Sequence, residues 1–164
     1  MVNAKKLAVI LLCLFLLPGC GKQEPAPQTV AIANPWSDWA TLQDAETAAG
    51  FSFGLPEEIP DACTAAAYRT MNGELLEVIY RSEDTEVRVR KQKGEGQDLS
   101  GDYTPYDSCT TEDHPTGSVS RYHLSGSPAC KLIISTGGYS WSITAPDGFP
   151  GGCEAWLLEQ ILEP

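Results

Sequence analysis

The stretch NGELLEVIYRSEDTEVRVR, residues 72–90, carries the clearest secondary-structure signal in the sequence. Asn72-Gly73 is a strong hairpin signal, because both residue types adopt the positive φ angles that a two-residue turn requires. The following segment, 74–81, has apolar residues on both of its faces, which is typical of an inner strand covered at least in part on both sides. Residues 82–84 provide a further turn, so the stretch predicts consecutive antiparallel strands.

The next strand, residues 85–91, carries most of the only basic cluster in the sequence. Val87 and Val89 alternate with Arg88 and Arg90, so the arginines lie on the face opposite the valines. We therefore expect the arginines to form a solvated strand face. The alternative is a docking patch for an anionic ligand or an acidic partner. The whole cluster consists of Arg88, Arg90, Lys91 and Lys93.

Further extended segments lie on both sides of this stretch, separated by Gly, Pro and Ser turns. A first helix is predicted after Thr41, which can serve as its N-cap, with Gly50 as its C-terminal stop, and a second helix follows residues 150–152. Because hairpin-length connections require antiparallel neighbours, the sequence predicts an α+β fold. We expect a twisted antiparallel β-meander of about six or seven strands, with an N-terminal and a C-terminal helix packed on one face. The additional strands are predicted at 62–71, 104–112, 118–125, 128–136 and 139–145.

The N-terminus has the layout of a secretory signal peptide. Lys5 and Lys6 precede an apolar run, residues 7–17, that is shorter than the roughly 20 residues a membrane-spanning helix needs. At its end, the sequence LPGC that finishes at Cys20 resembles the lipobox of bacterial lipoproteins. The resemblance implies that the Cys20 thiol receives a diacylglycerol and that the signal peptide is cut before this residue. The alternative is an ordinary signal peptide in which this cysteine is incidental.

We therefore predict a lipoprotein signal peptide at 1–19, a flexible tether at 20–33 and a single α+β extracytoplasmic domain at 34–164. The tether is rich in Pro, Gln and Ala, a composition that cannot form a core. The expected location is the cell membrane, where the acyl chains would anchor the protein on the extracytoplasmic side.

The charge of the chain is strongly acidic. The formal net charge of −11 becomes −13 when Lys5 and Lys6 leave with the signal peptide. A surface of this sign is repelled by phosphate groups, so we predict no nucleic-acid partner.

Four cysteines remain in the predicted domain, and an even number in an exported chain predicts two disulfides with three possible connectivities. Without a Cys-x-x-Cys pair, neither a thioredoxin-like redox site nor a common zinc site is indicated. Cys130–Cys153 is the pairing to test first, because the strand face of Cys130 is expected to meet the C-terminal helix. The alternative for Cys153 is a reactive thiol near the helix N-terminus. The four disulfide candidates are Cys63, Cys109, Cys130 and Cys153.

No catalytic signature is present, and we predict no catalytic residue, no cofactor and no metal. The two histidines, His114 and His123, are expected to be exposed or hydrogen-bonded. Three carboxylates of an acidic loop do not follow the spacing of a calcium hand. The alternative is an envelope carbohydrate hydrolase that uses carboxylates of the 97–113 region, since the separation of such groups depends on the fold. The three loop carboxylates are Asp98, Asp102 and Asp107.

Several short motifs follow one another over almost the whole predicted domain. They are NPW (34–36), TLQDAETAAGF (41–51), LPEEIP (55–60), NGELLEVIY (72–80), LSGDY (99–103) and GGYSWSI (137–143). In order and spacing they resemble a bacterial domain of unknown function found on lipoproteins and membrane-anchored proteins, some of them anti-sigma-factor-like. The resemblance implies an extracytoplasmic α+β module without an assigned activity, and it supplies no catalytic residues.

The leading hypothesis from the sequence is a lipid-anchored binding or interaction module of unassigned ligand that does not catalyse a reaction. Its expected partners are the membrane, through the lipid anchor, and a protein of the cell envelope. Envelope sensing or an anti-sigma-related role is the expected context.

Overall fold

Nine strands and two helices make up the part of the chain that the computed structural model describes, residues 34–61 and 63–163. The predicted signal peptide, Cys20 and the tether lie outside the described residues. The elements are β1 (Trp36–Trp39), α1 (Leu42–Ala49), β2 (Glu58–Ile59), β3 (Cys63–Met71), β4 (Leu75–Arg81), β5 (Glu86–Lys93), β6 (Ser108–His114), β7 (Gly117–His123), β8 (Cys130–Thr136), β9 (Tyr139–Ala145) and α2 (Cys153–Leu162). Within these described ranges no helix is long and apolar enough to span a bilayer.

The strands form one antiparallel sheet in the order β1-β3-β4-β5-β9-β8-β7-β6, and β2 pairs with β3 beside this path. The prediction of a mostly antiparallel sheet with two helices is confirmed. The predicted number of strands was too low, because the short segments β1 and β2 also pair with β3. Segments of four and two residues are too short to show a periodicity in the sequence.

The sheet is not a single meander. The strands β3–β5 and β6–β9 form two consecutive antiparallel arrays, and these arrays are joined by the pairing of β5 with β9. Residues 94–107 connect the arrays, since they carry the chain from β5 to β6 at the far edge of the sheet. We call these residues the crossing loop.

The predicted turns and helix ends are present. Asn72 and Gly73 both have positive φ angles, 56° and 68°, and the amide of Glu74 donates to the carbonyl of Met71 across the turn. This is the geometry expected of the Asn-Gly hairpin. Thr41 caps α1 by accepting a hydrogen bond from the amide of Asp44.

The two helices are not both packed on the sheet in the way that the sequence predicted. Helix α1 lies close to β1, β3 and β4. Helix α2 reaches the core through a stripe of side chains that includes Leu157 and Ile161. Helix α1 therefore lies beside three strands, whereas α2 contacts the core through its buried side chains.

One face of the sheet, which we call the core face, carries the hydrophobic core together with residues from both helices. In one register row across the four central strands, every side chain on this face is at most 1% exposed. That row is Val78, Val89, Ile143 and Leu132.

The opposite face, which we call the loop face, is covered by the crossing loop. The prediction that Arg88 and Arg90 form a solvated face was wrong for Arg90, which the loop covers and which is only 8% exposed, whereas the Arg88 side chain is 34% exposed. Lys91 lies on the core face, opposite the arginines, and is also 8% exposed. The basic cluster of the sequence is therefore divided between the two faces.

Candidate functional site

Serine hydroxyls of the loop face hold the crossing loop against the sheet. Each of three loop amides donates a hydrogen bond to a serine side chain of β8 or β9. The pairs are Gly96 N with Ser135 Oγ (2.9 Å), Gln97 N with Ser140 Oγ (3.0 Å) and Leu99 N with Ser142 Oγ (2.8 Å). These serine side chains of β8 and β9 thus bind backbone groups that would otherwise lose their hydrogen bonds on burial.

A buried ion cluster lies beside the crossing loop. The Glu77 side chain is fully buried and accepts hydrogen bonds from Arg69 and from Arg90 Nε, the latter at 2.6 Å. Arg88 Nε lies 3.7 Å from the same carboxylate. The guanidinium groups of Arg69 and Arg90 also lie 4.9 and 5.0 Å from the centre of a Trp36 ring. One carboxylate therefore offsets the charge of several arginines in a largely buried setting.

Arg90 connects this cluster to the crossing loop. Its Nη1 donates to the carbonyl oxygens of Leu99 and Ser100, at 2.7 and 2.5 Å. Gly101 follows directly with a φ of 58°, and a Cβ at this position would lie 2.8 Å from Arg90 Nη1. The positive φ angle and the close approach of the guanidinium both favour glycine at this position.

A polar cavity of about 260 Å³ lies between the crossing loop and the ends of β5 and β9. Its walls offer both hydrogen-bond donors and acceptors. Tyr103, which lies in the chain between the lining residues Asp102 and Thr104, is 95% exposed, which is unusual for an aromatic side chain of this size. The polar residues that line the cavity are Glu86, Arg88, Ser100, Asp102, Thr104, Tyr106 and Thr144.

The carboxylates of the crossing loop are occupied by internal hydrogen bonds. Burial by itself would raise the pKa of Asp98, but hydrogen bonds from Ser100 and Lys131 outweigh burial and lower it. In the same way, Thr104 and Tyr106 outweigh burial and lower the pKa of Asp102.

Asp107 follows the same pattern. Hydrogen bonds from Ser125 lower its pKa, and both carboxylate oxygens accept from the Ser125 amide, at 3.0 and 3.1 Å. A general acid for glycoside cleavage needs a raised pKa. The three loop carboxylates therefore do not favour the hydrolase alternative.

The two histidines are not brought together. His114 and His123 lie at opposite ends of the β6–β7 hairpin, where they pair with Gly117 and Ser108. Among residues 34–61 and 63–163, no group of three or more His, Cys, Asp or Glu side chains could hold a metal ion.

The four domain cysteines are free thiols, of which only Cys109 is exposed. Burial is the main cause that raises the pKa of Cys153, and the Cys63 thiol adds a smaller electrostatic contribution. The two predicted disulfides, with Cys130–Cys153 as the first pairing to test, are not formed in this structure and stay a prediction.

A bridge between Cys109 and Cys130 does not fit the sheet. The register places these residues two strands apart, at about 10 Å, and on opposite faces. Disulfides need Cα atoms within about 7 Å. Burial raises the pKa of Cys153 to about 12, so the alternative of a reactive thiol at the helix N-terminus is not favoured either.

These positions predict a simple labelling pattern. Of the four domain cysteines, Cys109 alone is expected to react with a polar alkylating reagent in the native protein, because the other three are buried. Peptide mass spectrometry after alkylation, with and without denaturant, measures this. Any two of these cysteines that resist alkylation in denaturant without reductant would be bridged, as the sequence predicts. An unmodified Cys109 would contradict the structure.

A second cavity, of about 230 Å³, opens on the core face beside Lys91. Lys91 Nζ donates to the carbonyl oxygens of Ser52 and Phe53, at 2.7 and 3.2 Å. It also lies 4.4 Å from the centre of the Tyr139 ring and 4.5 Å from that of Trp141. We call this the lysine cavity.

The environment of Lys91 lowers the pKa of its ammonium group. Burial lowers the pKa of Lys91 to about 8, although Glu46 acts in the opposite direction. The Glu46 carboxylate is itself bound by the amide of Phe53, at 2.6 Å, and by the hydroxyl of Ser52. Lys91 is thus an ammonium group that the fold holds away from water.

This burial predicts an unusual pH dependence of stability. Between pH about 8 and about 10, the unfolded chain keeps the Lys91 proton while the folded protein releases it, so the free energy of unfolding should rise with pH. The expected gain is on the order of 1 kcal/mol. Urea unfolding of the wild type and of Lys91→Met across this range measures it, and the variant should lack the gain. Equal pH profiles for the two proteins would contradict the assignment.

Comparisons with protein-family models, with curated proteins and with solved structures give no match for this chain. The resemblance inferred from the sequence motifs therefore stays a prediction.

Glu77 and the lysine cavity were not found by sequence reasoning. The alternation that places Val87 and Val89 on one face also places Lys91 there, so the signal for a lysine on the core face was present. The partners of Lys91 come from residues 52 and 53, which no local pattern connects to β5.

Proposed function

We propose that the protein is a lipid-anchored, extracytoplasmic binding module that does not catalyse a reaction, and that its ligand is a neutral saccharide of the cell envelope. The membrane half of this proposal rests on Cys20 and its surrounding motif. The binding half is supported most directly by the polar cavity under the crossing loop, together with the exposed Tyr103 of the same loop.

The charge of the cavity favours a neutral ligand. Glu86 and Asp102 oppose a single cation, Arg88, and the whole chain carries a net charge of −11. An anionic ligand would be repelled by this field. A sugar instead offers hydroxyl groups that both donate and accept hydrogen bonds, and an apolar face that can stack on an exposed ring.

The full-length lipoprotein, purified in detergent, can be titrated calorimetrically with neutral and N-acetylated mono- and disaccharides. At least one is expected to bind, and Tyr103→Ala should weaken its binding about tenfold without changing the thermal midpoint. Glu74→Ala, at the opposite end of the sheet, is the matched control. Absence of binding across the panel, or unchanged affinity in Tyr103→Ala, would refute the saccharide assignment.

The same samples separate binding from hydrolysis. Chromatography of oligosaccharides after prolonged incubation is expected to show no shorter products. Products that disappear in Asp102→Asn would instead establish the hydrolase alternative.

Anchoring is tested separately. Mass spectrometry of the membrane-extracted protein should find a diacylglyceryl group on Cys20. A protein without this group, released into the medium, would refute the lipid anchor.

A further inference from the structure

We propose that the lysine cavity is a second binding site, which takes a small carboxylate with an apolar, single-ring body and pairs its carboxylate with Lys91. This site lies on the core face, whereas the polar cavity under the crossing loop lies on the other side of the sheet. The inference is therefore independent of the proposed function.

The first argument for this site is the hydrogen-bonding capacity of Lys91. An ammonium group has three N–H donors. Two of them reach the carbonyl oxygens of Ser52 and Phe53. Within residues 34–61 and 63–163 the Nζ atom has no further hydrogen-bond acceptor, and no carboxylate lies within ion-pair distance of it. The third donor of this residue, which is only 8% exposed, faces the Tyr139 and Trp141 rings, whose cation–π attraction is weaker than a contact with a carboxylate, so it remains available to a ligand.

The local charge carries the second step. Lys91 is the charged side chain that lines the cavity, and Glu46 acts on it from outside the cavity wall. Glu46 already accepts hydrogen bonds from Phe53 and Ser52, and it makes no direct ion pair with Lys91. Although the protein as a whole is acidic, the cavity is locally cationic, and a buried cation without a counter-ion is costly. A ligand carboxylate would remove this cost.

The walls of the cavity carry the third step. Apart from Lys91, they are mainly aromatic and aliphatic, with Phe53 and Trp141 packed at a ring distance of 5.6 Å. Cavities of roughly 150 Å³ already hold benzene in proteins, so a volume of about 230 Å³ accommodates one ring and a short acidic arm. The apolar residues of the wall are Phe53, Tyr139, Trp141 and Ile161.

Phenylacetate and uncharged phenylacetamide are matched probes for this site, and calorimetry with the full-length protein in detergent at pH 7 measures both. Phenylacetate is expected to bind at least about tenfold more tightly than the amide, because only the carboxylate satisfies Lys91. Lys91→Met, which keeps the apolar volume, should remove this preference. Lys93→Met, a lysine two positions along the same strand, should retain it. Equal affinities for the two probes, or no phenylacetate binding at millimolar concentration, would overturn the proposal.

A second measurement does not depend on any variant folding. Without a ligand, Lys91 in the folded protein has a pKa of about 8, and a bound carboxylate should raise this pKa. Binding at pH about 8.5 should therefore take up protons. Calorimetry in buffers of different ionisation enthalpy detects this uptake. Binding without proton uptake would show that phenylacetate does not contact Lys91. Because these probes are not saccharides, the outcome is separate from that of the sugar titration.

Discussion

Replacement of Glu77 by alanine is expected to lower the free energy of unfolding by about 3–5 kcal/mol, because it leaves a buried group of guanidinium ions without a counter-ion. The Glu77 side chain is fully buried and binds Arg69 and Arg90 directly. Its loss should also loosen the crossing loop, since Arg90 holds the carbonyl oxygens of Leu99 and Ser100.

Chemical denaturation of the purified protein measures this change. Glu74→Ala is the matched control, because Glu74 is exposed in the turn before the same strand, and it should change stability by less than about 0.5 kcal/mol. Glu77→Gln keeps the shape but removes the charge, so it should fall between the two. A loss below about 1 kcal/mol in Glu77→Ala would show that the arginines find water or other partners when the carboxylate is absent.

Leu157→Ala in α2 is the second substitution with a large expected effect, about 2–5 kcal/mol of destabilisation. Leu157 is fully buried in the core, and α2 depends on such side chains for its attachment to the sheet. The missing side-chain atoms would leave a void beside the core face that a packed sheet cannot close.

Thermal and urea unfolding followed by circular dichroism measure this loss. Glu159→Ala, an exposed position on the same helix, is the control and should stay within about 0.5 kcal/mol of the wild type. If Leu157→Ala behaved like Glu159→Ala, the packing of α2 on the core face would be incorrect.

The features that could be predicted from the sequence are those set by neighbouring residues. Asn72-Gly73 determines its own turn, and Thr41 and Gly50 determine the ends of α1 through their hydrogen bonds and backbone angles. Alternation likewise separates Arg88 from Val89 on opposite faces of β5.

The features that could not be predicted depend on distant contacts. Alternation does not say which face a loop will cover, so the burial of Arg90 under the crossing loop was missed. The charge pairing of Glu77 requires three strands to be in register, which local patterns do not specify. Both candidate cavities likewise combine residues from separate segments of the chain.

The junction between β5 and β9 has a consequence for the order in which the chain folds. The strands within each array are connected by short turns. At this junction Arg88 pairs with Thr144, and the crossing loop and most of the second array lie between these two residues in the sequence. Nonlocal pairing forms slowly, because the loss of chain entropy precedes the gain from contacts. We therefore expect the two arrays to form early and their docking to limit the refolding rate, so the crossing loop and the polar cavity would be completed last.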